Sequence, residues 1–367
     1  MTTLHVRVGI LQRVLTDYRV PFFDLLAETF PAGVEIASGE ARPEEQIVPG
    51  QPEKATRHSL QNIHILKGGL YLCQQRGVIE WLEKYDPDVL IAEANPRYLA
   101  TPQAVRWMHR HKRPVIGWGL GAHQGGGLRS NLRLSFLKEF DALLTYSRKG
   151  KADYVSAGLP AETIFIAPNA VVTRPQNNPP IHRSSFSEGP AMVLFVGRLQ
   201  GRKRVDLLLQ ACAQLDKSIQ PRLCIVGDGP ERAALESLAR QIYPQAEFCG
   251  DQRGKALADL FRQADLFALP GTGGLALQQA LSFGLPAIAA EGDGTQADLI
   301  RPENGWLVKP GSLESLISAL QSALSDPHAL AVRGSESFRI VKEEINLESM
   351  ATAFETAVAF AMERIGK

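Results

Sequence analysis

The chain has no apolar run approaching the roughly 20 residues that a membrane-spanning helix needs, so an integral membrane protein is not expected. Cysteine is scarce. Cys73, Cys212, Cys224 and Cys249 form no CxxC pair, and three of them sit in apolar helix or strand contexts. That argues against a disulfide framework and suits small core residues in a reducing compartment. Neither sign of charge dominates: 40 Lys and Arg stand against 39 Asp and Glu in 367 residues, so no global field draws the chain toward nucleic acid. No HxxxH or DxD spacing at the end of a strand offers metal ligands, and no cofactor is required by the sequence. The N-terminal MTTLHVRVGILQRV enters a strand pattern directly, without the apolar stretch and cleavage site of an export signal. The expectation is a cytoplasmic protein.

What is present is alternation. Short β-branched or apolar runs are separated by amphipathic stretches from end to end, the pattern of βαβ units and parallel sheets. The first series of strands is expected at Val6–Leu11, Val34–Ile36, Ile63–Leu66, Val89–Ala92, Val115–Trp118, Ala142–Thr145 and Thr163–Ala167, with helices such as Gln75–Lys84 and Pro102–His111 between them. A second series begins at Met192–Val196 and continues through Arg222–Val226, Ala246–Cys249, Leu266–Leu269, Ala287–Ala289 and Trp306–Val308. Between the two lies Thr173–Pro190, rich in Pro, Asn and Ser and without periodicity. The expected fold class is therefore α/β, two Rossmann-like doubly wound domains facing a central cleft. The expected bounds are 1–172, a linker at 173–190, a second domain at 191–345, and a C-terminal helix at 346–367 packing back on the first domain.

The strongest chemical signal opens the second series, VLFVGRLQGRKRVDLLLQA. Gly197 permits a tight turn after the strand, and Arg198 and Lys203 follow at the mouth of the next helix. Cations at a helix start oppose its dipole and call for an anion, and free N–H groups there suit a diphosphate; a solvated helix N-terminus is the plainer alternative. The segment LCIVGDGPERAALESLA is a strand, a turn and a helix, and it lacks the GxGxxG spacing of a dehydrogenase fold. Further on, the glycine-rich turn Gly271-Thr272-Gly273-Gly274 leads into a helix beginning at Leu275, and Gly292 and Gly294 lead to Asp298. Such turns expose amides to an anion or let a sugar approach the backbone, although plain βα loops also look like this.

In order, GRLQGRK, VGDGP, a Phe-x-Gly step, the GLALQQALSFGLP stretch and ENGWLV resemble the retaining glycosyltransferases grouped as family four, over about residues 165–325. The resemblance implies a GT-B fold with a nucleoside diphosphate sugar, of UDP or GDP type, held by the C-terminal domain. Arg198 and Lys203 would then bind the diphosphate and act in catalysis, with Gly197, Gly271, Thr272, Gly273, Gly274, Leu275 and Gln279 lining the donor. Residues Gly250–Gln252 would lie near the nucleobase. The family has a Glu at each end of an EGFGLxxxE stretch, touching the hexose and the ribose. Here the first is Gly271 and the second Gln279. Gln279 still offers hydrogen bonds to a ribose diol, whereas Gly271 offers only backbone.

In the first half, Asp17, Tyr18 and Arg19 follow the first strand and precede the apolar pair Phe22 and Phe23, which reads as helix core. Arg19 is either an anion contact or a surface arginine. Glu93 and Asn95 follow a strand and are candidates for the acceptor side, Glu93 as a base or a hydrogen-bond partner. Five glycines surround His123, a candidate at the reacting sugar or simply an exposed histidine. Residues 1–174 hold 21 basic and 17 acidic side chains. Arg129, Arg133, Lys138, Arg148, Lys149 and Lys151 cluster there; a peripheral contact with the inner membrane surface and an ordinary solvated face both fit, the latter slightly preferred. The expected activity is transfer of a hexose-type sugar to a glycan or lipid-linked acceptor, in cell-surface polysaccharide or lipopolysaccharide biosynthesis. The alternatives are a non-catalytic GT-B homologue and a nucleotide-sugar epimerase.

Overall fold

The computed structural model describes residues 4–45, 47–66, 68–121, 128–180, 183 and 185–365, with the backbone alone at 128–130. Two compact units emerge: Met1–Val171 with Leu347–Lys367, and Val172–Asn346. The first unit begins with β1 (Val8–Val14), α1 (Val20–Thr29), β2 (Val34–Gly39), β3 (Thr56–Ser59), β4 (Gln61–Ile65) and β5 (Leu72–Arg76). It continues with α2 (Val78–Tyr85), β6 (Val89–Glu93), α3 (Thr101–Arg110), β7 (Val115–Gly119), α4 (Leu128–Leu137), β8 (Ala142–Thr145), α5 (Arg148–Ser156) and β9 (Ile164–Ile166).

Seven of these strands form a parallel sheet in the order β3-β2-β1-β6-β7-β8-β9. Alternation along each strand divides its side chains between two layers. Val8 and Ile10 of β1 and Val89 and Ile91 of β6 pack with Phe22, Phe23 and Leu26 of α1. Their neighbours Leu11, Leu90 and Ala92 turn to the opposite layer, against Trp81 and Leu82 of α2 and Ala104 and Met108 of α3. Both faces are covered, which is why these strands read as nearly continuous apolar runs.

The second unit holds β10 (Met192–Val196), α6 (Val205–Gln214), β11 (Arg222–Val226), α7 (Arg232–Ile242), β12 (Glu247–Gly250), α8 (Gly254–Gln263) and β13 (Leu266–Leu269). After these come α9 (Leu275–Ser282), β14 (Ala287–Ala290), α10 (Thr295–Leu299), β15 (Gly305–Val308), α11 (Leu313–Leu324) and α12 (Pro327–Glu343). Its parallel sheet runs β12-β11-β10-β13-β14-β15. The final helix, α13 (Leu347–Ile365), belongs to the first unit and packs on α1, β7, β8 and β9. Phe354 of α13 meets Phe22 at 4.9 Å and Trp118 at 5.0 Å between ring centroids.

Thr173–Pro190 carries no helix or strand among its described residues. Its later part is nevertheless tied to the second unit. Arg183 makes a two-pronged pair with Asp265 at 2.7 and 2.6 Å, and Asp265 also accepts from the Met192 backbone N–H at 2.7 Å. The cysteines are free, three of them buried.

Two expectations are corrected. The strand expected at Ile63–Leu66 is β4, but it pairs antiparallel with β5 outside the main sheet. The helix expected from Gln75 starts at Val78, because Gln75 and Arg76 complete β5 and Gly77 turns the chain with φ 89°. Helical spacing could not expose this, since β5 carries the polar run Gln74-Gln75-Arg76.

Candidate functional site

In each sheet the strand order reverses once, between β1 and β6 in the first unit and between β10 and β13 in the second. Loops leaving the carboxyl ends of such strands diverge and open a crevice. Nearly all the candidate residues lie on these loops.

In the second unit the loop after β10 is not a helix start, as the sequence suggested. Gly201–Lys203 form a single 3-10 turn, Arg204 adopts a left-handed conformation with φ 54°, and α6 begins only at Val205. This turn is laced to the loop after β13. Lys203 Nζ donates to the Thr272 carbonyl at 2.7 Å, Arg202 Nη1 to Thr272 Oγ1 at 3.1 Å, and the Thr272 N–H to the Arg202 carbonyl at 3.0 Å. The approach is so close that a Cβ on Gly271 would lie 2.2 Å from the Arg202 carbonyl oxygen and 2.6 Å from Lys203 Cα. The glutamate that the resemblance leads one to expect at Gly271 therefore has no room. From the other side, Gln296 of α10, buried, donates through Nε2 to the Gly273 carbonyl at 2.6 Å. Its Oε1 is a buried acceptor without a donor.

The VGDGP turn has a comparable origin. Gly227, at φ 130°, lies where a Cβ would be 2.1 Å from the Gly197 carbonyl oxygen, so only glycine lets the loops after β10 and β11 meet. The Leu199 N–H donates to Asp228 O at 2.9 Å and the Gly227 N–H to Gly250 O at 2.8 Å, joining the ends of β10, β11 and β12. Gln252 turns back on this end, its Nε2 donating to Cys249 O at 2.6 Å.

Lys203 is half-buried, and its ammonium is pushed down to about 8, by burial first and by Arg202 second, with no acid opposing the shift. A desolvated cation whose hydrogen bond goes to a carbonyl would be stabilised by an arriving anion. Leu275 opens α9 behind Gly274, and Gln279 is half-buried one turn further on. The structure thus gathers Gly197, Lys203 and Gly271–Leu275 around one set of strand ends, with Arg198 in the same loop as Lys203.

In the first unit a cavity of about 520 Å³ is lined by the three acceptor-side candidates Arg19, Glu93 and Asn95, together with Tyr98, Trp118, Tyr146 and Asn169. Arg19 is not the surface residue that one reading allowed. It is buried, with Nη2 donating to Asn169 Oδ1 at 2.6 Å and Nη1 to the Ala170 carbonyl at 3.3 Å. Its guanidinium lies 5.4–5.7 Å from the ring centroids of Tyr18, Trp118 and Tyr146. Glu93 ends β6 and accepts from the Arg13 backbone N–H at 2.5 Å. Burial pushes its carboxyl up to about 7, against the opposing pull of that hydrogen bond. Asn95 Oδ1 accepts from the Arg97 N–H at 3.1 Å, shaping the loop. Trp118 Nε1 is a buried donor without a partner. Sequence reasoning missed this aromatic surround, because its members lie far apart along the chain. His123 lies outside the described residues. No group of three or more metal-ligating side chains occurs among the described residues.

Comparison with known proteins places this architecture. Residues 178–338, nearly the whole second unit, match the family described as Glycosyl transferases group 1. The chain is 32% identical over 151 residues to a sulfoquinovosyl transferase of Arabidopsis thaliana, covering 39% of this chain and 28% of that protein. It is 39% identical over 136 residues to a GDP-mannose-dependent alpha-mannosyltransferase of Mycobacterium tuberculosis, covering 36% and 34%. With a D-inositol 3-phosphate glycosyltransferase of Rhodococcus erythropolis it shares 33% over 189 residues, covering 47% and 42%. The chain thus spans less than half the length of these curated relatives. Solved structures match over both units. The lipopolysaccharide outer core galactosyltransferase WaaB superposes with a TM-score of 0.69 at 16% identity, covering 96% of this chain and 99% of that one. Anabaena Alr3699/HepE in complex with UDP gives 0.71 at 16% identity, with the same coverages. The fold is GT-B, two Rossmann-like units, and the second unit resembles the group 1 glycosyltransferases.

Proposed function

We propose that the chain is a glycosyltransferase, moving a hexose-type sugar from a nucleoside diphosphate sugar to a glycan or lipid-linked acceptor with retention of anomeric configuration. The observation that carries this reading is Lys203: a desolvated cation, with no acid opposing the fall in its pKa, held against a glycine turn inside the stretch that matches the family. In this reading Arg198 and Lys203 offset charge developing on the departing diphosphate. Gln279 takes the ribose diol. Thr272 and the amides of Gly273 and Gly274 take the sugar hydroxyls that a carboxylate at Gly271 would have accepted. The first-unit cavity receives the acceptor, with Glu93 as its base; a carboxyl near 7 is well matched to accepting a hydroxyl proton at neutral pH. One relative is named for GDP-mannose and one structural neighbour holds UDP, so UDP and GDP types are both admitted, and a role in cell-surface polysaccharide or lipopolysaccharide biosynthesis follows the named neighbours.

The test is a thermal-shift screen against UDP, GDP, ADP and their sugar derivatives, with Arg198→Ala and Lys203→Ala alongside. A ligand that binds only the folded state raises the melting temperature by mass action. A shift with one nucleotide family, lost in both variants, supports the donor site. The absence of any shift at saturating concentrations sinks it. The second reading, a non-catalytic homologue, is favoured by the missing carboxylate at Gly271. It predicts nucleotide binding without transfer to any acceptor and without hydrolysis.

A further inference from the structure

Two of the free cysteines in the second unit meet across neighbouring strands. Cys224 belongs to β11 and Cys249 to β12, and their Sγ atoms are in direct contact at 3.0 Å. An irregularity in the ladder surrounds this contact. Ile225 stands opposite Phe248 and Val226 opposite Gly250, so Cys249 is the extra residue of a bulge. A bulge re-aims the side chain that it carries, and here the sulfur ends on that of Cys224.

A buried free cysteine by itself behaves as a small core residue. Two thiols in contact can also give up two electrons together. A disulfide holds its sulfurs at about 2.05 Å, so closure asks for a movement on the order of 1 Å between strands already paired. Access differs between the two. Cys224 is fully buried, and burial first and Cys249 second push its thiol far above the ordinary range. Cys249 is only half-buried, and its strand is the edge of the sheet, so an oxidant reaches Cys249 first. The contact also lies at the strand end where the loops of the second unit converge. The Cys249 carbonyl accepts from Gln252 Nε2 at 2.6 Å, and the Gly250 carbonyl accepts from the Gly227 N–H at 2.8 Å.

We propose that Cys224 and Cys249 form a reversible thiol–disulfide pair, closed by a small-molecule disulfide and opened by thiols, that staples the edge strand β12 and fixes the loop at Gly250–Gln252. The Cys249 thiolate attacks one sulfur of the small disulfide; that S–S bond breaks, and the departing thiolate takes up the proton that Cys249 released. Cys224 then loses its proton and attacks Cys249 Sγ, the protein disulfide forms, and the second small thiol leaves. Two electrons pass from the protein to the small disulfide, and excess thiol reverses the exchange. In a reducing compartment the pair stays open, and closure responds to oxidation there. The inference rests on the donor-site reading only for its consequence: a loop fixed beforehand binds a nucleoside diphosphate more tightly, because less order has to be created on binding.

The experiment exposes the reduced full chain to oxidised glutathione, followed by intact mass, non-reducing peptide mapping and thermal unfolding. The expected product has lost two hydrogens and carries a cross-link between the Cys224 and Cys249 peptides. Closing a loop between positions 25 apart should raise the melting transition of the second unit by roughly 5–10 °C, reversibly with dithiothreitol. Cys249→Ser should abolish all of these changes. Cys224→Ala should instead retain one glutathione on Cys249, the first half of the exchange without the second. Affinity for UDP or GDP should rise about threefold or more on oxidation. The proposal is overturned by a mass that does not fall, by a wild-type glutathione adduct that never resolves, by a cross-link to Cys73 or Cys212, or by disulfide-linked dimers. An unmoved melting transition overturns the staple, and nucleotide affinity equal in the two redox forms overturns its control of the loop. A protein that closes the pair and gains stability, yet binds no nucleotide in either form, would keep the disulfide and remove the glycosyltransferase reading.

Discussion

At Gly271 the main chain runs against the Arg202–Lys203 turn, with an added Cβ only 2.2 Å from a carbonyl oxygen. Backbone cannot yield as the end of a flexible side chain can, so restoring the expected carboxylate by Gly271→Glu should not restore a sugar contact. The expected result is a loss of roughly 1–3 kcal/mol of stability from overpacking, with the Lys203–Thr272 bond broken and nucleotide binding weakened together. Urea unfolding and a nucleotide titration check this; a variant of undiminished stability would mean the turn can move aside. Lys203 itself should make binding depend on pH. With its folded pKa lowered to about 8, the free protein loses the cation above that value, while an anion bound beside it would hold the proton on. Affinity for a nucleoside diphosphate sugar, whose diphosphate keeps its charge across this range, should therefore be flat just below about pH 8 and fall as pH rises, by up to tenfold per pH unit, until the lysine of the complex titrates as well. Calorimetric titrations in buffers of different ionisation enthalpy should register proton uptake over that range and none with Lys203→Ala.

Among the elements, α13 has the clearest energetic role, since it closes the first unit although it arrives after the whole of the second. Phe354 is fully buried between Phe22 and Trp118. Phe354→Ala should cost about 3–5 kcal/mol in the first unit's unfolding free energy, a cavity effect read from urea curves, with nucleotide affinity unchanged because the candidate donor residues lie in the other unit. An unchanged urea midpoint would contradict the packing of α13. The elements also show what sequence patterning can carry. Where both faces of a strand are buried, as in β10, β11 and β13, apolar runs match the observed bounds residue for residue. β3, an edge strand reading Thr-Arg-His-Ser, and β5, in a two-stranded hairpin, lack such a face and were not expected. The glycine loops were legible as turns, yet the steric reason for Gly271 required the neighbouring turn in place. Beyond its neighbour Tyr18, the surround of Arg19 was not legible, because Trp118, Tyr146 and Asn169 converge only through the order of the sheet.

At the scale of the molecule, each unit contains a carboxylate held far below its ordinary range by arginines. In the first, burial alone would raise Glu45, but hydrogen bonds from Arg13 and Arg42 outweigh it and hold the carboxyl at about 2. In the second, Arg301 first and Arg339 next hold Glu344 at about 2. A carboxylate depressed on folding stabilises the native state fully above its unfolded pKa, and that stabilisation is lost as pH falls through the folded value. The window here runs from about pH 4.5 down to about 2, and each group contributes on the order of 2–3 kcal/mol. Glu93 acts with the opposite sign. Raised to about 7, it favours the folded state at low pH, and that contribution declines between about 4.5 and 7. Unfolding free energy should accordingly ease downward from pH 4.5 to 7 on account of Glu93 and fall more steeply below pH 4.5 as Glu45 and Glu344 are protonated. Glu344→Gln should be less stable than wild type at pH 7 and should lose less on acidification, so that the two curves converge near pH 2. Glu93→Gln should flatten the segment between 4.5 and 7 and leave the acid limb intact. Urea unfolding across this range distinguishes the groups: parallel curves for wild type and Glu344→Gln would show that the Arg301–Glu344–Arg339 cluster does not carry the acid sensitivity.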